Sequence, residues 1–258
     1  LLLKLYFEMY KISLLFFVLF FTHFFGQKNL ELKGVKDFLT DDYGNIYAFK
    51  NKDFGFAKYD SLGNQIGKMM LVNPFKIQSV QNPLNIVLFS ENVQEIKLID
   101  QNLNEIQTID LKQKFGFIKQ AYVEDLQKVW LLDESRNLLL YYNFRDDILM
   151  NSFPIRFNLE GIKDFMIYNG KLFVLREYSF EIYHFNSEKL LEFAVENGKR
   201  LSRENEDVYV VSSQKIYQYF PSQEFKVVFS SNEAKIVDKN HLHFLALIAD
   251  KFYLYKIK

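Results

Sequence analysis

The sequence predicts an all-β fold, a six-bladed β-propeller built from four-stranded antiparallel blades. Three observations predict it. A polar turn followed by an alternating strand of aromatic and β-branched residues occurs six times, starting at Gly44, Leu84, Gln127, Gly170, Glu206 and Leu242, 36 to 43 residues apart. Each period holds further short alternating segments, and apolar–polar alternation is the signature of half-buried strands. Strand-only repeats of about 40 to 45 residues are the period of propeller blades. The chain is also rich in aromatics, with 28 Phe and 16 Tyr in 258 residues, which suits the bulky packing between stacked blades.

Each element can be placed in order. Residues 12–25 form an apolar run broken only by Ser13, Thr22 and His23, with Lys11 before it and Gly26-Gln27 after it. A positive start, an apolar stretch of about 7–15 residues and a small exit residue describe a secretory signal peptide, so residues 1–26 are assigned to a leader. A membrane span needs about 20 apolar residues, and Lys4, Glu8 and Lys11 block extension of the run. Met9 is the natural start of such a leader, which makes residues 1–8 upstream sequence. Residues 27–258 are then one propeller domain.

Within it the inner strands are expected at 35–39, 75–80, 117–122, 162–167, 199–202 and 234–237. The second strands are the six repeats. Third strands follow at 56–59, 95–99, 138–141, 180–183, 215–219 and 252–255. Outer strands follow at 65–70, 105–111, 148–153, 190–195 and 225–229. Turns such as Asp60-Ser61-Leu62-Gly63-Asn64 connect them, Asp and Asn bonding their own backbone and Gly supplying positive φ. The chain ends after the third strand of the sixth repeat. Asn29-Leu30-Glu31-Leu32, unpartnered at the other end, is expected to supply the missing fourth strand and close the ring, so that no blade edge stays open.

Asp41-Asp42-Tyr43-Gly44-Asn45-Ile46-Tyr47, with Lys58-Tyr59-Asp60-Ser61-Leu62-Gly63-Asn64, resembles the repeat of NHL-type and TolB-like six-bladed propellers. The likeness is nearest to exported propellers of Bacteroidota. It covers about 25 residues as motif and the whole mature chain as architecture. It implies a binding or scaffold role in the cell envelope and no particular chemistry, because propellers host many functions.

Composition excludes more than it selects. Thirty-two basic and 32 acidic residues cancel and no segment concentrates one sign, so there is no basic stripe for nucleic acid. There are no cysteines, hence no disulfides and no thioether lipid anchor. The expected product is soluble, periplasmic or secreted, monomeric, and without a membrane segment once the leader is cleaved.

No catalytic motif appears: no nucleophile elbow, no zincin helix and no phosphate-cradling glycine loop. By resemblance to lactonase-like propellers, Asp41, Asp42, Glu124, Asp125, Glu204 and Asn205, with Asn82, Asn169 and Asn240, would be oxygen ligands for Ca²⁺ or another divalent metal. The competing reading is that Asp and Asn populate tight turns for backbone reasons. His241 and His243 would share one face of a strand as a start for zinc, without a third ligand. Trp130 stands where other repeats carry Tyr47, Phe173 and Tyr209, and is assigned to packing between blades. Arg145, Arg200 and Arg203 lie in charged segments and are the expected contacts for a protein partner on a solvated rim. The favoured reading is therefore a non-enzymatic interaction or envelope-assembly module with no cofactor, whose partner is another envelope protein. A metal-dependent lactonase-like hydrolase is the alternative, and carbohydrate binding through rim Tyr and Phe is the weaker one.

Overall fold

Aromatic and β-branched residues at period two need a sheet that covers both of their faces, and stacked blades provide it. The computed structural model describes residues 30–50 and 54–257, and among these every regular element is a strand. Blade one comprises β1 (Val35–Thr40), β2 (Ile46–Lys50), β3 (Phe56–Tyr59) and β4 (Gln65–Met69), and blade two β5 (Lys76–Ser79), β6 (Ile86–Ser90), β7 (Glu95–Ile99) and β8 (Glu105–Asp110). Blade three has β9 (Ile118–Val123), β10 (Lys128–Asp133), β11 (Leu138–Asn143) and β12 (Ile148–Pro154). Blade four has β13 (Ile162–Tyr168), β14 (Lys171–Arg176), β15 (Ser179–Tyr183) and β16 (Lys189–Ala194). Blade five is β17 (Gly198–Glu204), β18 (Asp207–Ser212), β19 (Lys215–Tyr219) and β20 (Phe225–Ser230), and blade six is β21 (Ile236–Lys239), β22 (His243–Ile248) and β23 (Lys251–Lys256). Each blade is an antiparallel meander in chain order.

The core lies between blades. Val87, Ile96 and Leu98 of blade two pack on Val129, Leu131 and Leu140 of blade three, and each such side chain, fully buried, contributes about 1.5–3 kcal/mol. Trp130 fills the next interface as expected. Its ring stacks on Tyr141 at 4.1 Å and reaches Phe185 of blade four at 5.3 Å. First strands of neighbouring blades lie side by side, β9 with β13, β13 with β17 and β1 with β21, so the last blade meets the first. Phe38 of blade one meets Phe252 of blade six edge-on at 4.8 Å.

Closure by the N-terminal segment follows the expected course over a short length. Glu31 forms an antiparallel bridge to Lys251, and the Leu32 N–H donates to the Asp250 carbonyl at 2.9 Å. Blade six has three regular strands among the described residues. Asn29 and the leader lie outside them. No helix among the described residues is long and apolar enough to cross a membrane.

Candidate functional site

All first strands run in one direction along the central channel, so the turns that follow them gather on one face. The sequence-expected oxygen ligands are here, and each carboxylate among them is committed within its own turn or to a neighbour. Asp41 is fully buried and accepts from the Tyr43 and Asn45 amides at 3.0 and 2.8 Å, the Asn45 side chain at 2.8 Å and the Tyr47 hydroxyl at 3.1 Å. Gly44, at φ +80°, completes that turn in a conformation L side chains resist. Burial and the Asp41 charge together push the Tyr47 phenol far above its ordinary value.

Asp42 pairs instead with His241 of blade six, the imidazole Nδ1 at 3.1 Å and the backbone amide also at 3.1 Å. Glu124 accepts from the Tyr141 hydroxyl at 2.6 Å, and Asp125 accepts two amides of its own turn at 2.8 Å. Glu204 takes the buried Lys239 ammonium, which lies 4.1 Å over the Tyr209 ring. Asn205 sits at φ +54° in the β17–β18 turn, its carbonyl accepting from Arg203 at 3.0 Å. Among the described residues no three His, Asp or Glu side chains are arranged to hold a metal ion. The carboxylates of the set are engaged separately, in their own blades or with Lys239 and His241 of blade six. His241 lies in the β21–β22 turn and His243 in β22, so the two rings do not share a strand.

The same face carries something the sequence reading passed over. The tip of the β1–β2 turn is Tyr43, of β5–β6 Leu84, of β9–β10 Leu126 and of β21–β22 Leu242, and all are between 49% and 75% exposed. They come from blades six, one, two and three, which are consecutive around the ring. Four large apolar residues in successive exposed turns are not required by the turns themselves, which Asp, Asn and Gly already form. Beside them a cleft of about 440 Å³ runs between Asn82 and Asn85 of blade two, Glu124–Leu126 of blade three and Arg203 of blade five. Arg203 stacks on Tyr168 at 4.4 Å and is exposed, and Arg145 is exposed in the β11–β12 turn on the same side.

Arg200 is not on a rim, which corrects its sequence placement. It is buried within the channel, where its guanidinium meets Asp37 of blade one and Asp238 of blade six at 3.2 Å each and donates to the Phe38 carbonyl at 2.7 Å. Asp238 in turn accepts the Thr40 amide at 2.8 Å. Burial disfavours charge on the arginine, but the two carboxylates outweigh it and hold the guanidinium above its ordinary value. Burial pushes the Asp238 carboxyl up, against the opposing pull of Arg200. Lys76 crosses the channel to Asp164 at 2.9 Å, and Asp164 accepts the Leu201 amide at 2.8 Å. Channel charge is thus used to tie blades together.

No family model matches the chain, and no curated protein matches it by sequence. Solved structures do match by fold. The structure of a streptogramin B lyase superposes with TM-score 0.54 at 11% identity, over 89% of this chain and 86% of that one. Virginiamycin B lyase from Staphylococcus aureus superposes with TM-score 0.50, also at 11% identity, over 89% and 88%. BamB from Moraxella catarrhalis gives TM-score 0.39 at 10% identity, over 85% and 70%. At such identities the likeness is one of architecture: this chain is a six-bladed β-propeller.

Proposed function

We propose that the chain is an exported, non-enzymatic β-propeller that recognises another protein of the cell envelope. The partner docks on the face where the first-to-second-strand turns emerge. The observation that carries this reading is the arc of exposed apolar tips, Tyr43, Leu84, Leu126 and Leu242, on four consecutive blades. Aromatic and apolar anchors within a polar rim are the composition of a protein interface core. Asp42, Arg203 and Arg145 around the arc supply a rim that sets orientation. The leader at residues 1–26 supports export. The lactonase-like alternative needs free oxygen ligands converging on one point, and the carboxylates on this face already have partners.

The test compares immobilised residues 27–258 with the double variant Leu84→Asp/Leu126→Asp, which changes two exposed turn tips and no buried group. The wild-type protein should retain a specific envelope protein, and the double variant should lose it while keeping the wild-type circular dichroism spectrum. Equal capture by both proteins would refute the assignment.

A further inference from the structure

At the other mouth of the channel one residue type recurs in every blade. The residue at, or next to, the start of each first strand is lysine: Lys36, Lys76, Lys119, Lys163, Lys199 and Lys235. Because the first strands share a direction, the six lysines lie at one end of the channel, and Lys36, Lys76 and Lys199 line a cavity there. Four of the lysines are the extra residue of a β-bulge. The ladder steps from Val35 to Asp37, from Ile118 to Gln120, from Ile162 to Asp164 and from Gly198 to Arg200. In a regular strand adjacent side chains face opposite ways, whereas a bulge re-aims one of them. Lys36 with Asp37, and Lys199 with Arg200, accordingly line the same cavity.

The ring of lysines is neutralised on one side. Lys119 meets Glu91 at 3.0 Å and Lys163 meets Glu177 at 3.5 Å, while Lys76 is held by Asp164. Lys235 donates to the Val35 carbonyl at 2.8 Å. Among the described residues no carboxylate forms an ion pair with Lys36, Lys50 or Lys199. These three border a cavity of about 320 Å³; its other two cations, Lys76 and Arg200, are already paired with Asp164 and with Asp37 and Asp238. The chain as a whole is neutral, so the excess is local. Burial pulls the Lys199 amine below its ordinary value, the mark of an ammonium short of solvent. Phe49, Phe54 and Phe75 supply an aromatic wall to the same cavity.

We infer that this mouth binds a small organic anion, a carboxylate or phosphate carried on an aromatic or acyl body. Lys36 and Lys199 hold the anionic group and Phe49 and Phe75 cover the body. The volume lies at the small end of ligand pockets, and a few placed charges among apolar walls is their usual make-up. Lysine suits this role as a compact point charge that accepts either anion without a fixed fork geometry. The site is distinct from the docking face, so either assignment can fail without the other.

The experiment is calorimetric titration of residues 27–258 with four probes: 2-naphthyl phosphate, 2-naphthoate, inorganic phosphate and neutral 2-naphthylmethanol. The naphthyl anions should bind, more weakly at high salt, with inorganic phosphate and the neutral compound each at least about tenfold weaker. Lys199→Gln and Lys36→Gln should each weaken the naphthyl anions by about tenfold, the worth of one charge-assisted hydrogen bond. Lys119→Gln, on the neutralised side, should leave binding unchanged and serves as the folded control. Equal binding of the neutral compound, no binding of either naphthyl anion at millimolar concentration, or indifference to Lys36 and Lys199 would each overturn the proposal.

Discussion

Replacing Arg200 by Met is the sharpest perturbation of the ring. The substitution keeps much of the side-chain volume but removes the charge that Asp37 and Asp238 face at 3.2 Å. Asp238 is 7% exposed at its side chain and cannot turn to water. Breaking a buried pair by removing one partner costs about 3–5 kcal/mol, because the remaining charge is uncompensated. The lost bond to the Phe38 carbonyl adds about 1–3 kcal/mol, the penalty for an orphaned buried acceptor. With a denaturant slope of about 3 kcal/mol/M in urea for a chain this size, the midpoint should fall by at least about 1 M. The deficit should also depend on pH in a defined direction. Without Arg200, burial raises the Asp238 carboxyl further above its ordinary 3.8. The folded variant then takes up a proton more readily than its unfolded chain, so it regains stability as pH falls through the raised value. The gap to wild type should therefore be largest at neutral pH and shrink as the solution is acidified. Adding Asp238→Asn should recover part of the loss, a non-additive cycle. A deficit below about 1 kcal/mol, or one that does not change with pH, would refute the buried lock.

Three further outcomes follow from packing and turn geometry. Trp130→Ala should cost about 3–5 kcal/mol, read by urea unfolding followed with circular dichroism because Trp130 is the single tryptophan; a loss under about 1 kcal/mol would contradict its place between blades. Gln223, exposed at φ +67° in the β19–β20 turn, occupies the position glycine holds in Asp60–Asn64, so Gln223→Gly should raise stability by about 0.5–1 kcal/mol and Tm by about 1–4 °C. A lower Tm would show that the turn is not strained there. Burial acts to raise the Glu181 carboxyl, but the Tyr183 hydroxyl at 2.7 Å and Arg176 at 3.2 Å outweigh it and hold the group below its ordinary 4.5. Its stabilisation is therefore present above pH 4.5 and lost as pH falls through the depressed value. Glu181→Gln should be less stable than wild type at pH 7 by about 1.5–3 kcal/mol and converge with it in acid; parallel curves would contradict the pairing.

The strands and the blade count were legible because the information is local. Alternation and a repeat of about 40 residues run through the whole chain, with Asp-x-x-Gly-Asn turns in blade one, and third strands such as Glu95–Ile99 and Lys215–Tyr219 lie where the pattern places them. Trp130 was readable for the same reason, by its position within a repeat. What the pattern could not carry was long-range charge. Lys199-Arg200 reads as a solvated pair, yet Asp37, 163 residues away, and Asp238, 38 residues away, draw Arg200 inside. The turn carboxylates were found in the sequence, but the amides, hydroxyls and basic side chains that they bind lie in their own turns, in other strands or in other blades and cannot be read from composition. The bulges were invisible in the sequence, although the lysine they re-aim recurs in every blade and was available as a signal. Ring closure was foreseen in place: among the described residues Glu31 bridges Lys251 and the Leu32 amide donates to the Asp250 carbonyl.

Site-directed photocrosslinking tests the docking claim most directly. A benzophenone amino acid placed at Leu84 or Leu126, and for contrast at the exposed outer-strand positions Ile106 or Val227, reports which surface a partner touches in the intact envelope. The account predicts one shared adduct from residues 84 and 126 and none from 106 and 227. Adducts from the outer strands, with silence at the turn tips, would contradict it.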